Sequence, residues 1–252
     1  MTTFTSRLLG SSLLATSIAL ASSLVSANAA QALTINFDST STSTNTPATG
    51  ASAQVDFNFV DVADGVQLDL TLLNTTNQLA TSFGLGATDS EFVAFGFDLP
   101  DFISSYTYNS LSSPFTRLFA DAEINGAGGK NVFDIGIRVT GSGTFGGGQT
   151  AAGLNSGESA QVSFFLNTTS NAQAVEQGFA NLFNGQEFRA VARFQAVDGP
   201  GFSGASDKLL VSTISNSDPG DDGEVSVPEP GTLVGLALIG GSFAASRRRK
   251  SC

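Results

Sequence analysis

Hydrophobic and polar side chains alternate along two neighbouring segments in the first third of the chain. Apolar residues occupy every second position in 55–59 and again in 66–72, and Ala63-Asp64-Gly65 lies between the two runs. A period of two predicts strands that bury one face, and a short Asp-Gly connection predicts a hairpin turn. These segments therefore predict a β-hairpin. The side chains expected to face the core are Val55, Phe57, Phe59, Val66, Leu68, Leu70 and Leu72.

Strand-like segments continue along the rest of the body. Glycine-rich stretches at 126–129 and 141–148 predict loops between them. One segment, 171–183, has helical spacing, with Val175, Phe179 and Leu182 on one side. Eight or so strands with outward polar residues predict an all-β fold, a single antiparallel β-sandwich or jelly-roll-like domain. The further predicted strands are 33–37, 92–99, 106–108, 132–139, 161–166, 188–197 and 209–214.

The beginning of the chain has the pattern of a secretory signal peptide. One cation and no acid precede an uncharged run at 8–25 that Ser, Thr and Gly interrupt. Ala27 and Ala29 then form a small-x-small site of the type that signal peptidase cleaves, and 30–32 offers a second such site. The pattern predicts export, with 1–29 as the signal peptide.

The end of the chain has the pattern of a short membrane segment. Residues 231–246 carry no charge, and a block of four cations follows them. Clustered cations after an apolar run predict a transmembrane helix whose basic end stays in the cytoplasm. As a helix the run would extend about 24 Å, less than the hydrocarbon core of about 30 Å, which favours a transient anchor. The stop-transfer residues are Arg247, Arg248, Arg249 and Lys250.

A Pro-Glu-Pro sequence stands directly before this segment. The order of this motif, a short apolar helix and an Arg cluster resembles the PEP-CTERM sorting signal of bacterial exported proteins. The resemblance implies that an exosortase, a membrane-embedded cysteine transpeptidase, recognises and processes the tail near the motif. The residues that carry the resemblance are Val227, Pro228, Glu229, Pro230 and Gly231.

These signals predict four regions along the chain. The signal peptide is followed by a β-rich extracellular domain at 30–214, an acidic Gly/Pro linker at 215–226 and the sorting signal at 227–252. The expected location is the cell envelope, the cell surface or the extracellular matrix, with initial anchoring by the C-terminal helix. The expected partners are signal peptidase, exosortase, the membrane in passing and extracellular polysaccharide.

Charge and residue usage exclude several functions. Between the two sorting segments, 21 acidic side chains face six basic ones, a net charge near −15 that disfavours nucleic acid as a partner. The chain has no histidine, and its one cysteine is Cys252, so Ser-His-Asp and Cys-His nucleophile systems and His-ligated zinc are not available. We therefore expect a protein that is not an enzyme.

Ligand binding stays open as a second class of function. Tyr106 and Tyr108 are two residues apart, so both rings would lie on one face of a strand, where they could contact a sugar or simply be half-buried at an edge. No cofactor is expected, with calcium as the one candidate through the acidic residues of the linker, which lack EF-hand spacing. Four threonines at 40, 42, 44 and 46 would resemble an ice-binding row if that segment were extended, although a flexible loop is the ordinary interpretation.

The sequence thus leaves two alternatives. One is a non-enzymatic surface or matrix protein that exosortase sorts through its C-terminal motif. The other is a secreted ligand-binding module, for carbohydrate or ice, that is delivered by the same route.

Overall fold

The computed structural model describes residues 31–124, 132–147, 153–185, 188–211 and 215–216. Twelve strands and one helix make up this part of the chain. In chain order they are β1 (Gln31–Phe37), β2 (Thr42–Ser43), β3 (Ala53–Val62), β4 (Gly65–Asn74), β5 (Asp89–Phe97), β6 (Ser105–Asn109), β7 (Arg117–Glu123), β8 (Val132–Arg138), β9 (Ser159–Asn167), α1 (Ala172–Phe183), β10 (Ala190–Gly199), β11 (Phe202–Val211) and β12 (Ser215–Asn216).

The strands form two antiparallel sheets of six strands each. Sheet 1 has the order β12-β1-β3-β4-β9-β6, and sheet 2 has the order β2-β11-β10-β5-β8-β7. Their inner faces share one continuous hydrophobic core that both sheets and the helix line. The all-β antiparallel sandwich predicted for the body is therefore confirmed.

The predicted hairpin is β3 and β4. All seven side chains expected in the core are at most 1% exposed, and the two strands pair without a register shift from Ala53 and Asn74 to Val62 and Gly65. Asp64 closes the turn with a φ of 65°, a left-handed conformation that Asp tolerates better than most residues. The alternation therefore sets both the register and the buried face.

Phenylalanine rings fill the space between the sheets. Phe57 of sheet 1 lies with its centroid 6.1 Å from Phe95 and 5.7 Å from Phe97 of sheet 2, both in edge-to-face geometry. The same ring lies 5.8 Å from Phe179 and 5.7 Å from Phe183 of α1. One side chain thus joins both sheets and the helix.

The helix α1 begins where the sequence predicts it. Asn171 is its N-cap and accepts a hydrogen bond from the amide of Ala174 at 2.9 Å. Val175 and Phe179 are buried as expected, but Phe183 and not Leu182 completes the buried face. The reason is that Phe183 lies one turn beyond Phe179 and packs on it, with ring centroids 6.0 Å apart.

Sheet 2 also buries part of its outer face. A second, smaller cluster there is built from Ala94, Ala122, Ile124, Phe133, Phe145, Val191 and Leu210. Phe145 comes from the loop after β8 and lies over Gly136, where a Cβ would stand 2.6 Å from its ring. The described part of the expected loop at 141–148, residues 141–147, therefore covers this face of sheet 2. The other expected loop, 126–129, lies outside the described residues.

Several strands were not predicted from the sequence. The sequence did not predict β7, the short β2 and β12, or the first seven residues of β11. The pairing of β10 with β11 also contains register shifts on both sides of Val197. β7 is an edge strand with a left-handed residue, Asp121 at φ 48°, which breaks its alternation. Bulged and very short strands do not produce a clean period of two.

Candidate functional site

The predicted processing residues lie outside the described part of the chain. These are the signal-cleavage residues Ala27 and Ala29, the motif Val227, Pro228, Glu229, Pro230 and Gly231, and the stop-transfer residues Arg247, Arg248, Arg249 and Lys250. In the described ranges, no helix is both long and apolar enough to cross a membrane. The predicted transmembrane helix at 231–246 is outside those ranges.

The position at which the tail leaves the body is described. β12 pairs antiparallel with β1, so that Asn216 lies opposite Leu33 and Ser215 opposite Thr34. The chain therefore runs out of β12 toward Gln31, the first residue of β1. The body begins and ends at one end of the sandwich, which we call the tail end.

The opposite end of the sandwich, here called the far end, is formed by other segments. Phe37 at the end of β1 pairs with Ala53 at the start of β3, and Ala53 in turn pairs with Asn74 at the end of β4. In sheet 2, Asp89 at the start of β5 pairs with Asp198 near the end of β10. Ten-residue strands rise about 3.3 Å per residue, so about 30 Å separates the two ends.

The far end contains a cavity of about 520 Å³, which we call the far-end pocket. The β4–β5 connection forms most of its wall, and the residues before β3 and the β10–β11 turn complete it. None of its lining side chains is charged: hydroxyl and amide groups alternate with exposed leucines. The side chains that give it this mixed character are Ser52, Asn77, Leu79, Thr81, Ser82, Phe83, Leu85 and Thr88.

Two glycines allow the pocket wall to approach the segment before β3. Gly84 has a φ of 57°, and a Cβ on it would lie 2.2 Å from the carbonyl oxygen of Ala48. Gly50 has a φ of 94°, and its Cβ would lie 2.5 Å from the carbonyl oxygen of Phe83. Backbone hydrogen bonds then join the two segments, from Leu85 N to Ala48 O at 2.8 Å and from Ala87 N to Thr49 O at 3.0 Å. Any side chain at these glycines would force the two segments apart.

A buried polar network supports the pocket from below. The Asn74 amide donates to the backbone oxygens of Ser90 at 2.9 Å and Leu154 at 2.8 Å. The Thr76 and Ser90 hydroxyls are 2.8 Å apart, and Ser52 N donates to Thr76 Oγ1 at 3.0 Å. The side chains of Ser52, Asn74, Thr76 and Ser90 are polar and nearly inaccessible to water, so each needs a hydrogen-bond partner in the protein. Together they fix the base of the β4–β5 connection.

A buried carboxylate holds the segment that precedes Gly50 of the pocket wall. Asp207 is 1% exposed and accepts hydrogen bonds from Ser43 Oγ at 2.7 Å, Thr49 N at 2.9 Å and Thr49 Oγ1 at 2.8 Å. The Lys208 amide donates to it at 2.7 Å. Bonds to an ionised acceptor are among the strongest in proteins. Asp207 therefore holds the 43–49 segment against sheet 2.

The two tyrosines considered as ligand contacts do lie on one face of β6, but that face is turned inward. Tyr106 and Tyr108 both pack against Phe164 of β9, with ring centroids 6.1 and 4.9 Å from it. The Tyr108 hydroxyl donates to the carbonyl oxygen of Phe115, and burial raises the pKa of Tyr108 above its usual value. Both are half-buried edge residues here, and a contact with a ligand stays a prediction.

The other binding signals of the sequence have limited structural support. In the described ranges, no three His, Cys, Asp or Glu side chains lie close enough together to hold a metal ion. The acidic residues Asp218, Asp221, Asp222 and Glu224 lie outside those ranges. The threonine segment is a loop with a turn at Asp38, whose carboxylate accepts from the Thr40 amide at 2.8 Å, and only Thr42 and Ser43 form a strand. Four threonines in one extended row are therefore absent from this described segment.

The far-end pocket was not predicted from the sequence. Its wall consists mostly of polar and glycine residues, which is the usual composition of a loop. The pocket forms because the strand register brings 50–52, 77–88 and Pro200 together. The pair of glycines at 84 and 86 is the one local signal that could have marked it.

Comparison with known proteins identifies the tail and not the sandwich. Residues 226–250 match the family model described as the PEP-CTERM protein-sorting motif. The chain is therefore an exported protein that is sorted to the cell surface. Its C-terminal segment is a PEP-CTERM sorting motif, the signal of an exosortase substrate, as the sequence predicted. No curated protein and no solved structure matches the chain.

Proposed function

We propose that the chain is a non-enzymatic surface or matrix protein, whose sandwich is delivered by exosortase and released from a temporary helical anchor. The match of 226–250 to the sorting motif carries the proposal. The attachment of the tail at β12 supports it, because an acidic linker of about ten residues then separates the last described strand from the motif. Extended, it reaches at most about 40 Å, enough to keep the body off the membrane while the motif is processed.

The proposal is tested in a host that has an exosortase. Changing Pro228, Glu229 and Pro230 to alanine should leave full-length protein in the membrane fraction, whereas the native chain should be recovered without Arg247 to Cys252. A matched control changes Asp218 and Pro219 to alanine, which removes a proline and an acid outside the motif. Native protein recovered from the membrane with Cys252 still attached would contradict the proposal, because the tail would then be a lasting anchor.

A second candidate function is binding of a neutral carbohydrate at the far-end pocket. The observation that favours it is the position of the pocket, about 30 Å from the end of the sandwich at which the tail is attached. Loops at one end of a sandwich are a common place for binding sites. An uncharged lining that mixes hydroxyls, an amide and leucines suits a ligand with many hydroxyl groups and apolar ring faces. Ice binding has less support than sugar binding, because the threonines at 40, 42, 44 and 46 do not form one extended row.

Two leucines of similar exposure provide the test of this second candidate. Leu85 lines the pocket and is 44% exposed, whereas Leu118 on β7 is 41% exposed and lies outside it. On an array of neutral glycans, Leu85→Ala together with Leu79→Ala should reduce binding at least tenfold, and Leu118→Ala should leave it unchanged. No binding to the array by the native protein, or equal loss in all variants, would count against a sugar site here.

A further inference from the structure

Basic residues form a row across the outer face of sheet 2. Arg117 of β7 pairs with Arg138 of β8, Arg138 pairs with Ala94 of β5, Ala94 pairs with Arg193 of β10, and Arg193 pairs with Lys208 of β11. We call these four basic residues the cationic row. The body has only six basic residues, so most of its positive charge is collected in one line.

The strand register places like charges next to each other in this row. Residues directly opposite each other in an antiparallel pair have Cβ atoms about 5 Å apart, and like charges in that position destabilise the sheet. Two of the pairs in the row, Arg117 with Arg138 and Arg193 with Lys208, are of this kind. The strands of sheet 1 contain no basic residue, so the clustering of basic residues is a feature of sheet 2.

Part of the row has a structural role. Arg138 Nη2 donates to the carbonyl oxygen of Ser142 at 2.6 Å and Arg138 Nη1 to that of Gly147 at 2.8 Å. Arg117 Nη1 donates to the carbonyl oxygen of Gly143 at 3.1 Å, and its guanidinium lies 4.9 Å from the Phe119 ring centroid. These two arginines hold the loop after β8 on the sheet through its backbone carbonyl groups.

Arg193 is different. Its side chain is 5% exposed, and its Nε and Nη1 atoms are buried without a hydrogen-bond partner. Among the described residues, no acidic side chain forms an ion pair with it. Burial, followed by the nearby charge of Arg138, lowers the pKa of Arg193 to about 10. A guanidinium that is withdrawn from water and left without a counter-charge is one of the least favourable groups in a folded protein.

We propose that Arg193 is the centre of an oxyanion-binding site on the outer face of sheet 2, with Lys208 beside it. The ligand class is a sulfate, phosphate or carboxylate group, either as a free ion or as a substituent of an acidic polysaccharide. A guanidinium offers two parallel N–H donors to two oxygens of such a group, and the ammonium of Lys208 supplies a second positive charge. The bound anion supplies the counter-charge that Arg193 lacks among the described residues. The site lies on the outer face of sheet 2, and none of its residues lines the far-end pocket.

The test measures thermal stability with defined anions. The protein recovered from the exporting host is heated in sodium sulfate or potassium phosphate, and in sodium chloride of equal ionic strength. At an anion concentration ten times its dissociation constant, linkage predicts a rise in Tm of about 3–6 °C over chloride. Arg193→Met should abolish this rise, and it should not lower the Tm measured in chloride, because it removes a buried unpaired charge.

Matched variants separate the site from general salt effects. Arg189→Met removes an equal charge from a residue outside the row, which pairs with Asp98 at 3.0 Å, and it should keep the full rise with sulfate whatever its own starting Tm. Lys208→Met should reduce the rise. If Arg193→Met does not fold, Arg193→Lys replaces it, and this variant keeps the charge but loses the paired donors, so the rise should still shrink.

Polymer probes identify the source of the anion. Dextran sulfate and polygalacturonate are compared with neutral dextran at equal mass. Stabilisation by either acidic polymer, lost in Arg193→Met, assigns the site to polysaccharide substituents, and stabilisation by the small ions alone assigns it to a free oxyanion. The proposal is overturned if sulfate and phosphate act no more strongly than chloride, or if Arg193→Met responds as the native protein does.

Discussion

The two sheets of the sandwich use their outer faces in opposite ways. The outer face of sheet 1 is open and polar, with Gln54 and Thr34 both donating to the Asp56 carboxylate and Gln67 donating to that of Asp69. The outer face of sheet 2 carries a second hydrophobic cluster, a covering loop and the cationic row. In a sheet with one buried face, alternating polar and apolar residues are sufficient. A sheet that is covered on both faces needs a second set of packed side chains, and the basic residues buried there lower its stability.

The largest effect is expected in the core that both sheets share. Phe57→Ala should lower the free energy of unfolding by about 3–5 kcal/mol, because its ring contacts both sheets and α1. Asp69→Asn, on the open face of the neighbouring strand, should change it by less than about 0.5 kcal/mol. Urea unfolding followed by circular dichroism measures both. Similar small losses in the two variants would mean that β3 does not face the core as described.

A pair of phenylalanines compares the outer faces directly. Phe145 on sheet 2 is 1% exposed, and Phe165 on sheet 1 is 36% exposed. Phe145→Ala should cost about 2–4 kcal/mol, near the lower end of core truncations because its loop can relax. Phe165→Ala should cost about 1 kcal/mol. Chemical denaturation gives both values, and an equal cost would remove the distinction between a covered and an open face.

The buried carboxylate of sheet 2 should have an intermediate effect. Asp207→Asn keeps the shape of the side chain but replaces an ionised acceptor of four hydrogen bonds with a neutral amide. The expected loss is about 1–3 kcal/mol in the free energy of unfolding. Hydrogen exchange should also quicken at the Thr49 amide. Unchanged exchange at that amide would show that Asp207 does not hold the 43–49 segment.

The smallest effect concerns the edge of sheet 1. Tyr108→Phe removes the hydrogen bond to the Phe115 carbonyl and should cost about 1 kcal/mol, leaving that oxygen without its partner. Tyr106→Phe should be close to neutral, since its ring packs on Phe164 and both variants keep that contact. Thermal unfolding of the two variants side by side tests the difference, which should disappear if the Tyr108 hydroxyl faces water in solution.

The sequence predicted strands in both sheets, but it predicted register and buried face only for the hairpin of sheet 1. Alternation in 55–59 and 66–72 determined the hairpin, its register and its buried face, because one polar face and one apolar face leave only one pairing. In sheet 2 the same rule is weak. Residues 92–97 of β5 are all buried, so their pattern marks a strand without telling which side chains face the shared core.

The sites were less predictable than the fold. The sorting motif is a local signal, complete within 25 matched residues, and it could be recognised without any structure. The far-end pocket and the cationic row are products of register. Arg117 and Lys208 are far apart in the chain, and only the pairing of five strands brings them onto one line.

The attachment of the tail at β12 has a mechanical consequence. A pull on the tail acts first on β12, whose two residues pair with β1, and not on the ten-residue ladder of β11 with β10. If β12 detached, the next residue held by a described strand would be Val211, five residues earlier, so the tether would lengthen by at most about 18 Å. The two-residue pairing of β12 with β1 is therefore the first described contact that tension on the tail would break.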